Sequence, residues 1–281
     1  MTEEITDAEI AHAKINLALH VRLRRRDGYH DIESLFAFAE DGDRLVATSR
    51  ADGAVNLTID GPFGDGLDTG PHNLVLRAAM ALKEQSESRA GADIRLTKNL
   101  PVASGIGGGS ADAAATLRLL GRLWHSEADL VSIAARLGSD VPACLMSRTL
   151  VGTGRGEALD LRDIPQLPGA PLLLVNPGVG LSTAAVFGGW DGVDRGALDA
   201  SDLSTISRLG RNDLYPSAAE FVPVIKEVLK RLSEQPGVQL ARMSGSGATC
   251  FALFDSISTR DCAAAAMSAD WWVLPTRIRT S

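Results

Sequence analysis

The chain has 281 residues, of which 45% are hydrophobic and 22% charged, a composition typical of a soluble globular protein rather than a disordered tail or a collagen-like repeat. Aromatic residues make up only 5%, which favours a mixed helix and sheet protein of α+β or α/β class over a β-sandwich packed on aromatic pairs. The net charge of −7 repels polyanions, so nucleic-acid and membrane-surface binding are disfavoured, and an anionic small ligand needs a local positive site.

The cysteine content and the N-terminal sequence indicate where the protein resides. Cys144, Cys250 and Cys262 are too few and too scattered for a disulfide framework or a metal site, which fits a reducing cytoplasm. Each is expected to be a small buried apolar residue. Residues 1–10 are acidic and lack the basic and apolar parts of a secretory signal, and no apolar run is long enough to span a membrane. We therefore expect a soluble, cytoplasmic protein.

The first hundred residues show mainly strand patterns. Apolar residues of period two predict a strand over 11–21, with Lys14 and Asn16 together on its other face. After an Arg-rich stretch that ends in a turn signal, two more strand patterns follow at 32–39 and 43–49. Further along, the patterns predict a strand at 55–60, a helix at 73–87 and a strand at 92–100.

A glycine-rich loop then leads directly into a helix. Glycines at 105, 107, 108 and 109 let backbone N–H groups converge, and the N-terminus of the following helix adds a partial positive charge. This combination predicts a phosphate cradle. It is neither a Walker P-loop nor a dinucleotide fingerprint, since the Gly-Lys-Ser/Thr ending and the required glycine spacing are missing. The alternative is a turn that only lets a strand and a helix pack closely. The buried face of the helix is predicted to hold Ala113, Leu117, Leu120 and Leu123.

The pattern changes beyond about residue 156, and a Pro-rich stretch follows at 163–171. We place the domain boundary between about 155 and 170, which gives domains 1–160 and 161–281. The segment 241–254 is predicted to be a loop flanked by strands, and its Ser-Gly-Ser-Gly at 244–247 is a tight turn at which a backbone must approach something closely. Alone, this turn indicates a plain turn. Neither a hydrolase elbow nor metal-ligand spacing is present.

The remaining predicted elements are helices at 127–137 and from 139, a strand at 172–178, a long surface loop with a short helix at 187–213, helices at 217–234 and 259–268, and a strand at 271–278.

Three segments together resemble a known family. PVASGIGGGSADAA at 101–114, AKINLALHV at 13–21 and MSGSGATCFALF at 243–254 are similar in order and spacing to the motifs of the superfamily named for galactokinase, homoserine kinase, mevalonate kinase and phosphomevalonate kinase. Four more segments resemble the branch of this superfamily that phosphorylates a cytidine-diphosphate-linked methylerythritol. They are RRRDGYHDIESLF at 24–36, GSDVPACL at 138–145, NPGVGLSTAAVF at 176–187 and NDLYP at 212–216.

The resemblance covers nearly the whole chain and implies a fold and a reaction. It implies an α+β, two-domain small-molecule kinase fold with the active site in the interdomain cleft, 1–160 being the ATP-binding and catalytic domain. ATP would phosphorylate the 2-hydroxyl of the methylerythritol moiety, a step of the non-mevalonate isoprenoid pathway. Mg²⁺ is expected, held mainly by phosphates and waters, and no protein ligand is named. The implied ATP-binding loop is Pro101, Val102, Ala103, Ser104, Gly105, Ile106, Gly107, Gly108, Gly109, Ser110 and Ala111.

The resemblance also implies two catalytic residues. Asp140 would accept the proton of the attacking hydroxyl, and the alternative is a simple helix N-cap. Lys14 would pair with Asp140 and steady the developing charge, and the alternative is an exposed strand lysine. Asn16 would hold a substrate hydroxyl or diphosphate, and the alternative is an ordinary polar position on a strand.

A base-binding site is implied by three further residues. Tyr29 would supply a stacking ring, His30 a hydrogen-bonding imidazole, and Phe187 the second ring of a sandwich around cytosine. The alternative for each is a loop side chain that is solvated or packed. The nearby Arg22, Arg24, Arg25 and Arg26 are expected to form a solvated face that locally favours an anionic substrate.

Two other functions stay open at the level of sequence. A kinase of the mevalonate or homoserine type would not require Tyr29 and His30, and a non-catalytic nucleotide-binding protein could use the same fold. The presence of both Lys14 and Asp140 disfavours the second. ATP consumption that depends on the cytidyl substrate would separate the three. The sequence does not indicate an oligomeric state.

Overall fold

The computed structural model describes residues 5–86 and 89–280, which contain ten strands and nine helices. The strands are β1 (Thr6–Arg24), β2 (His30–Arg50), β3 (Val55–Asp60), β4 (Gly91–Thr97), β5 (Leu150–Gly154), β6 (Ala158–Leu161), β7 (Pro171–Asn176), β8 (Val238–Met243), β9 (Cys250–Phe254) and β10 (Trp272–Arg277). The helices are α1 (Leu74–Ser86), α2 (Gly108–Leu123), α3 (Leu130–Leu137), α4 (Val141–Met146), α5 (Thr183–Gly188), α6 (Leu203–Leu209), α7 (Tyr215–Phe221), α8 (Val224–Ser233) and α9 (Ile257–Ala265). The α+β class is confirmed.

The chain divides into two compact units that are interleaved along the sequence. The first unit comprises Met1–Ala13, Asp41–Val102 and Gly107–Met146. The second comprises Lys14–Glu40, Ala103–Ile106 and Ser147–Ser281. The long strands β1 and β2 contribute residues to both units. The single boundary after residue 160 stays a prediction.

The first unit packs four helices with a small group of strands. In this unit β3 runs parallel to β4, and β4 runs antiparallel to the 44–50 part of β2. Helix α2 contacts α1, α3 and α4. Its predicted buried face is confirmed, because Ala113, Leu117, Leu120 and Leu123 are all buried. The alanines along α2 allow close approach of the neighbouring helices, since they carry no side chain beyond Cβ.

The second unit contains a four-stranded antiparallel sheet in the order β10-β7-β9-β8. Helices α8 and α9 pack against this sheet, and its core includes Leu173, Val175, Cys250 and Phe254. In the same unit the 32–36 part of β2 pairs with β5, which in turn pairs with β6.

Several elements differ from the sequence prediction. The strands expected at 32–39 and 43–49 are one strand, β2, because Gly42 lets the backbone stay extended where a Cβ atom would overlap the Ala11 carbonyl. The helix expected at 217–234 is broken into α7 and α8 at Pro223, whose ring disfavours helix in the preceding residue. The prediction that α1 reaches residue 87 lies outside the described residues.

Three elements and one cysteine were not predicted correctly. The hairpin of β5 and β6 and the short helix α5 lie in stretches that carry no clear periodicity. Cys144 and Cys250 are buried as expected, but Cys262 is exposed, so that expectation was wrong. It lies on α9, whose buried residues are Arg260 and Ala263.

Candidate functional site

The glycine loop adopts a backbone that suits an anion at the start of α2. Gly105 has a φ of 78° and Gly107 a φ of 67°, the left-handed region that glycine enters without steric cost. Gly107 is the N-cap of α2 and provides no side-chain hydrogen bond to the first turn. The N–H groups of that turn are therefore not capped by this residue, and an anion can accept from them.

Within the second unit, the 244–247 turn approaches the glycine loop backbone to backbone. Thr249 N donates to Ser104 O at 3.1 Å, and Ser244 Oγ donates to Gly105 O at 2.9 Å. A Cβ atom on Gly105 would lie only 2.5 Å from Ser244 O. The close approach expected at this turn is therefore made to the glycine loop.

Lys14 and Asn16 lie side by side on β1, next to the 103–106 part of the loop. Lys14 N donates to Ile106 O at 3.0 Å, and Asn16 N donates to Ser244 Oγ at 3.2 Å. Lys14 Nζ donates to Asn16 Oδ1 at 3.2 Å and lies 4.6 Å from the centroid of the Phe36 ring. Both residues are buried, so the interpretation of Lys14 as an exposed strand lysine was wrong.

Asn16 is held in one orientation by hydrogen bonds on both ends of its amide. Its Nδ2 donates to Ser34 Oγ at 2.7 Å, and Ser34 Oγ donates to Ala18 O at 2.8 Å. These two hydrogen bonds fix the orientation of the side-chain amide, so that Oδ1 is the atom that accepts from Lys14. The carbonyl oxygen of Asn16 is thus committed to a cation and its amide nitrogen to a hydroxyl.

The structure brings His30 and Phe187 together in the second unit. Their ring centroids are 5.1 Å apart with a tilt of 38°, and Trp190 meets His30 edge-on at 5.7 Å. Burial, aided by the Arg24 charge, lowers the pKa of His30 below its usual value. Tyr29 is exposed, and the guanidinium of Arg155 lies 5.1 Å from its ring centroid. The face of the Tyr29 ring therefore already makes a cation–π contact.

The arginines at 22–26 do not simply form a solvated face, because Arg22 and Arg25 make ion pairs. Arg22 pairs with Glu33 at 2.5 Å and with Asp194 at 2.8 Å, while Arg25 pairs with Asp31 at 3.0 Å. Glu33 also accepts from Leu198 N at 2.6 Å. These contacts hold the start of the 187–213 segment against β1 and β2 within the second unit.

Asp140 belongs to the first unit and directly precedes α4. It is half-buried, and its backbone carbonyl accepts from Cys144 N at 3.0 Å, so it occupies the N-cap position of α4. An acid at this position fits either of the two roles predicted for it.

A buried ion-pair cluster in the first unit was missed by the sequence analysis. Lys98 Nζ lies 2.7 Å from Asp112 Oδ2 and also donates to Asp43 Oδ2. Asp43 Oδ1 accepts from the backbone nitrogens of Asn99 and Leu100, at 2.6 and 2.9 Å. The cluster therefore fixes the segment that enters the glycine loop to the first turns of α2.

Burial disfavours the negative charge of Asp112, the second carboxylate of this cluster. Asp112 Oδ1 is buried and has no hydrogen-bond partner. Burial raises the pKa of Asp112 to about 7 although Lys98 lowers it, and the neighbouring Asp43 raises it further. Burial lowers the pKa of Lys98, but the charges of Asp112 and Asp43 outweigh burial and raise it overall. The signal in the sequence was an acid on a helix face otherwise made mainly of alanine and leucine.

Comparison with known proteins assigns the family. Residues 73–148 match the model of the GHMP kinases N terminal domain, and residues 195–271 match that of the GHMP kinases C terminal domain. This chain belongs to the GHMP kinase family. GHMP kinases use ATP as the phosphoryl donor and act on an alcohol group of a small molecule, so this chain is a kinase of that type.

Relatives of this GHMP kinase carry one name. A protein of Rhizorhabdus wittichii named 4-diphosphocytidyl-2-C-methyl-D-erythritol kinase is 53% identical over 279 residues, covering 96% of this chain and 94% of the relative. A protein of the same name from Novosphingobium aromaticivorans is 49% identical, with coverage of 96% and 92%. The crystal structure of a 4-(cytidine 5'-diphospho)-2C-methyl-D-erythritol kinase matches with a TM-score of 0.83 and 33% identity, covering 98% of this chain and all of the other.

More distant GHMP kinases share the fold alone. The crystal structure of a homoserine kinase from Cytophaga hutchinsonii matches with a TM-score of 0.74 at 18% identity, and the match covers 100% of this chain and 97% of the other.

Over 5–86 and 89–280, no helix combines the length and the apolar character that crossing a membrane requires. The same residues contain no group of three or more His, Cys, Asp or Glu side chains suited to holding a metal ion.

Proposed function

We propose that this GHMP kinase transfers the γ-phosphoryl group of MgATP to the 2-hydroxyl of 4-diphosphocytidyl-2-C-methyl-D-erythritol. The observation that carries this proposal is the 53% identity, over nearly the whole length of both chains, to a relative of that name. The ring pair of His30 and Phe187 supports it, because the acceptor substrates mevalonate and homoserine carry no base on which these rings could stack.

The residues 101–111 form the ATP-phosphate loop in this proposal. The positive φ angles at Gly105 and Gly107 and the absence of a side-chain cap at Gly107 leave backbone donors for the phosphates. Within the second unit, the 244–247 turn holds the 103–106 part of this loop. Mg²⁺ enters as part of the nucleotide complex, coordinated by phosphates and waters, which is the usual mode for this ion.

Asp140 and Lys14 carry the chemistry. Asp140 takes the proton from the 2-hydroxyl as a bond forms between that oxygen and the γ-phosphorus, and the bond from the γ-phosphorus to the bridging oxygen of ADP breaks. Lys14 stabilises the negative charge that develops on the acceptor oxygen and the transferred group. Its burial supports this role, because a cation in a low-dielectric environment acts more strongly than one in water.

Tyr29, His30 and Phe187 bind the cytosine ring, and Asn16 binds the polar part of the substrate. The hydrogen bonds that orient the Asn16 amide support a fixed binding role rather than an ordinary strand position. Tyr29 would exchange its contact with Arg155 for the face of the base, and both contacts use the same aromatic surface.

A coupled ADP-release assay tests the proposal. The purified protein is given MgATP with the cytidyl substrate, its uridyl analogue, mevalonate or homoserine. We expect ADP release only with the cytidyl substrate at physiological concentration, and a loss of about 10²- to 10⁴-fold in Asp140→Asn, the range for removing a positioned base. The Asp140→Asn sample also detects a contaminating kinase. Preference for mevalonate or homoserine, or no ADP release with any alcohol, would refute the proposed reaction.

A further inference from the structure

Arg24 links the two parts of the proposed base site. It lies on β1, and its Nε donates to His30 Nε2 at 3.2 Å. Its Nη2 donates to the carbonyl oxygens of Gly188 and Trp190, at 3.0 and 3.4 Å. One guanidinium therefore holds both the imidazole and the backbone that follows Phe187.

The chemistry of this contact fixes the protonation state of His30. A guanidinium has only donors, so His30 Nε2 must be the acceptor and cannot carry a proton. A neutral imidazole carries its single proton on the other nitrogen, Nδ1. Burial and the positive charge of Arg24, which is the charged group that acts on this ring, both favour the neutral form. The neighbouring rings of Phe187 and Trp190 carry no charge.

We propose that Arg24 is a positioning residue that fixes His30 as an Nδ1–H donor toward the cytosine ring of the proposed function. The proposal rests on the proposed function, because it needs a cytosine in this site. N3 of cytosine accepts a hydrogen bond, whereas N3 of uracil carries a hydrogen and would face the His30 proton. An Nδ1–H group cannot accept from the 4-amino group of cytosine. The discrimination against uracil therefore arises at N3.

The tautomer is measured first, in the full-length protein without substrate. Imidazole ¹⁵N NMR should show His30 neutral, with the proton on Nδ1, at pH values where a free histidine is already charged. In Arg24→Gln, whose amide can donate or accept, we expect a mixture of tautomers and a higher pKa for His30. Arg24→Lys restores a donor with a charge and should restore the Nδ1–H form. Arg26→Gln, an exposed arginine of the same stretch, is the matched control and should leave the spectrum unchanged. A proton on Nε2 in the wild type, or no change in Arg24→Gln, would overturn the proposal.

The second measurement is base discrimination. The ratio of kcat/KM for the cytidyl substrate to that for its uridyl analogue should fall about tenfold in Arg24→Gln, mainly through KM, because the contact is remote from the reacting hydroxyl. A 3-deazacytidyl substrate has C–H in place of N3. Its kcat/KM should be low, and equally low, in the wild type and in Arg24→Gln. His30→Asn keeps an amide donor near the position of Nδ1 and has no counterpart of Nε2. In that background Arg24→Gln should no longer change the ratio.

The outcomes separate this proposal from the proposed function. Phosphorylation of the cytidyl substrate with a ratio that Arg24→Gln leaves unchanged would overturn the proposal and leave the function intact. Full use of the 3-deaza substrate by the wild type would exclude N3 as the group that is read. No phosphorylation of the cytidyl substrate would refute the function and the base-reading role together, while the NMR result would still show whether Arg24 sets the tautomer of His30.

Discussion

Gly105 has two separate reasons to be glycine. Its φ of 78° is costly for any residue with a Cβ atom, and that atom would lie 2.5 Å from Ser244 O and 2.7 Å from Gly247 O. We expect Gly105→Ala to lower the free energy of unfolding by about 2–4 kcal/mol, measured by urea denaturation. Gly192→Ala is the matched control, because Gly192 has a similar φ of 81° with no atom within 4 Å of its Cβ position. Equal losses in the two variants would show that the close contact with the 244–247 turn is unimportant.

Asp112 gives the stability of the protein a pH dependence that opposes ordinary acid denaturation. Its pKa is about 7 in the folded protein and 3.8 in the unfolded chain, so between these values the folded state holds a proton that the unfolded state has lost. The stability contribution of this group is therefore full below about pH 4 and is lost as the pH rises through about 7. Relative to Asp112→Asn, the free energy of unfolding of the wild type should decline across this window, by at most about 1.4 kcal/mol per pH unit. Parallel curves for the two proteins would contradict the prediction.

Phe187 and Tyr29 should respond differently to truncation although both are proposed to stack on the base. Phe187 packs against the core of the second unit and against His30, whereas Tyr29 is exposed. We expect Tyr29→Ala to raise KM for the cytidyl substrate roughly 5- to 150-fold, the equivalent of ~1–3 kcal/mol of stacking, with stability unchanged. Phe187→Ala should raise KM and also lower the melting temperature. Steady-state kinetics and calorimetry on both variants test this; turnover falling while KM stays constant would refute the base sandwich.

At the scale of single residues, the sequence was informative where chemistry is local. Period two placed Lys14 and Asn16 on one face of a strand, and the structure confirms that they are neighbours. The cluster of Lys98, Asp43 and Asp112 could not be predicted, because its members come from three elements and their pairing depends on tertiary packing. The tautomer of His30 was equally hidden, since it depends on the rotamer of Arg24.

At the scale of elements, one hydroxyl of the 244–247 turn bonds to both β1 and the glycine loop. Ser244 Oγ accepts from Asn16 N at 3.2 Å and donates to Gly105 O at 2.9 Å, so Ser244→Ala leaves two backbone groups unpaired. We expect a loss of about 1–3 kcal/mol in the free energy of unfolding and a raised KM for ATP. Ser217→Ala is the control, because Ser217 is also buried but its hydroxyl has no hydrogen-bond partner. A loss in Ser217→Ala as large as that in Ser244→Ala would show that the hydrogen bonds contribute nothing.

Element boundaries were predictable where a residue enforces them. Gly138 follows the end of α3 as expected, and β3 spans the predicted 55–60. The break at Pro223 has a clear local cause but lies in a stretch whose apolar periodicity is continuous. The hairpin of β5 and β6 was missed because β6 is largely exposed and therefore lacks an apolar signal.

At the scale of the whole molecule, the order of motifs predicted the family, whereas the compact units could not be predicted. Three glycine- or strand-centred motifs in sequence order identified the superfamily, because each has a fixed local geometry. The interleaving of the two units follows from how far β1 and β2 extend, since each strand contributes residues to both. Strand length depends on pairing partners far away in sequence, which local patterns do not reveal.

The proposed mechanism makes its strongest prediction for Lys14 and Asp140. Both are proposed to act on one step, so losing either should stop the same phosphoryl transfer. We expect Asp140→Asn and Lys14→Met each to reduce kcat by about 10²- to 10⁴-fold, and the double variant to lose far less than the product of the two. Asn can still cap a helix and Met keeps the aliphatic stem beside Phe36, so both variants should fold.

A double-mutant cycle on kcat measures this coupling, with circular dichroism to confirm folding. The control cycle combines Asp140→Asn with Lys226→Met, an exposed lysine on α8, which should leave kcat at the level of Asp140→Asn alone. Residues that act as one catalytic unit are strongly non-additive, because the second substitution removes something that the first has already disabled. If the double variant of Lys14 and Asp140 instead loses the full product of the single effects, the two residues serve separate steps, and the assignment of Lys14 to charge stabilisation in phosphoryl transfer is wrong.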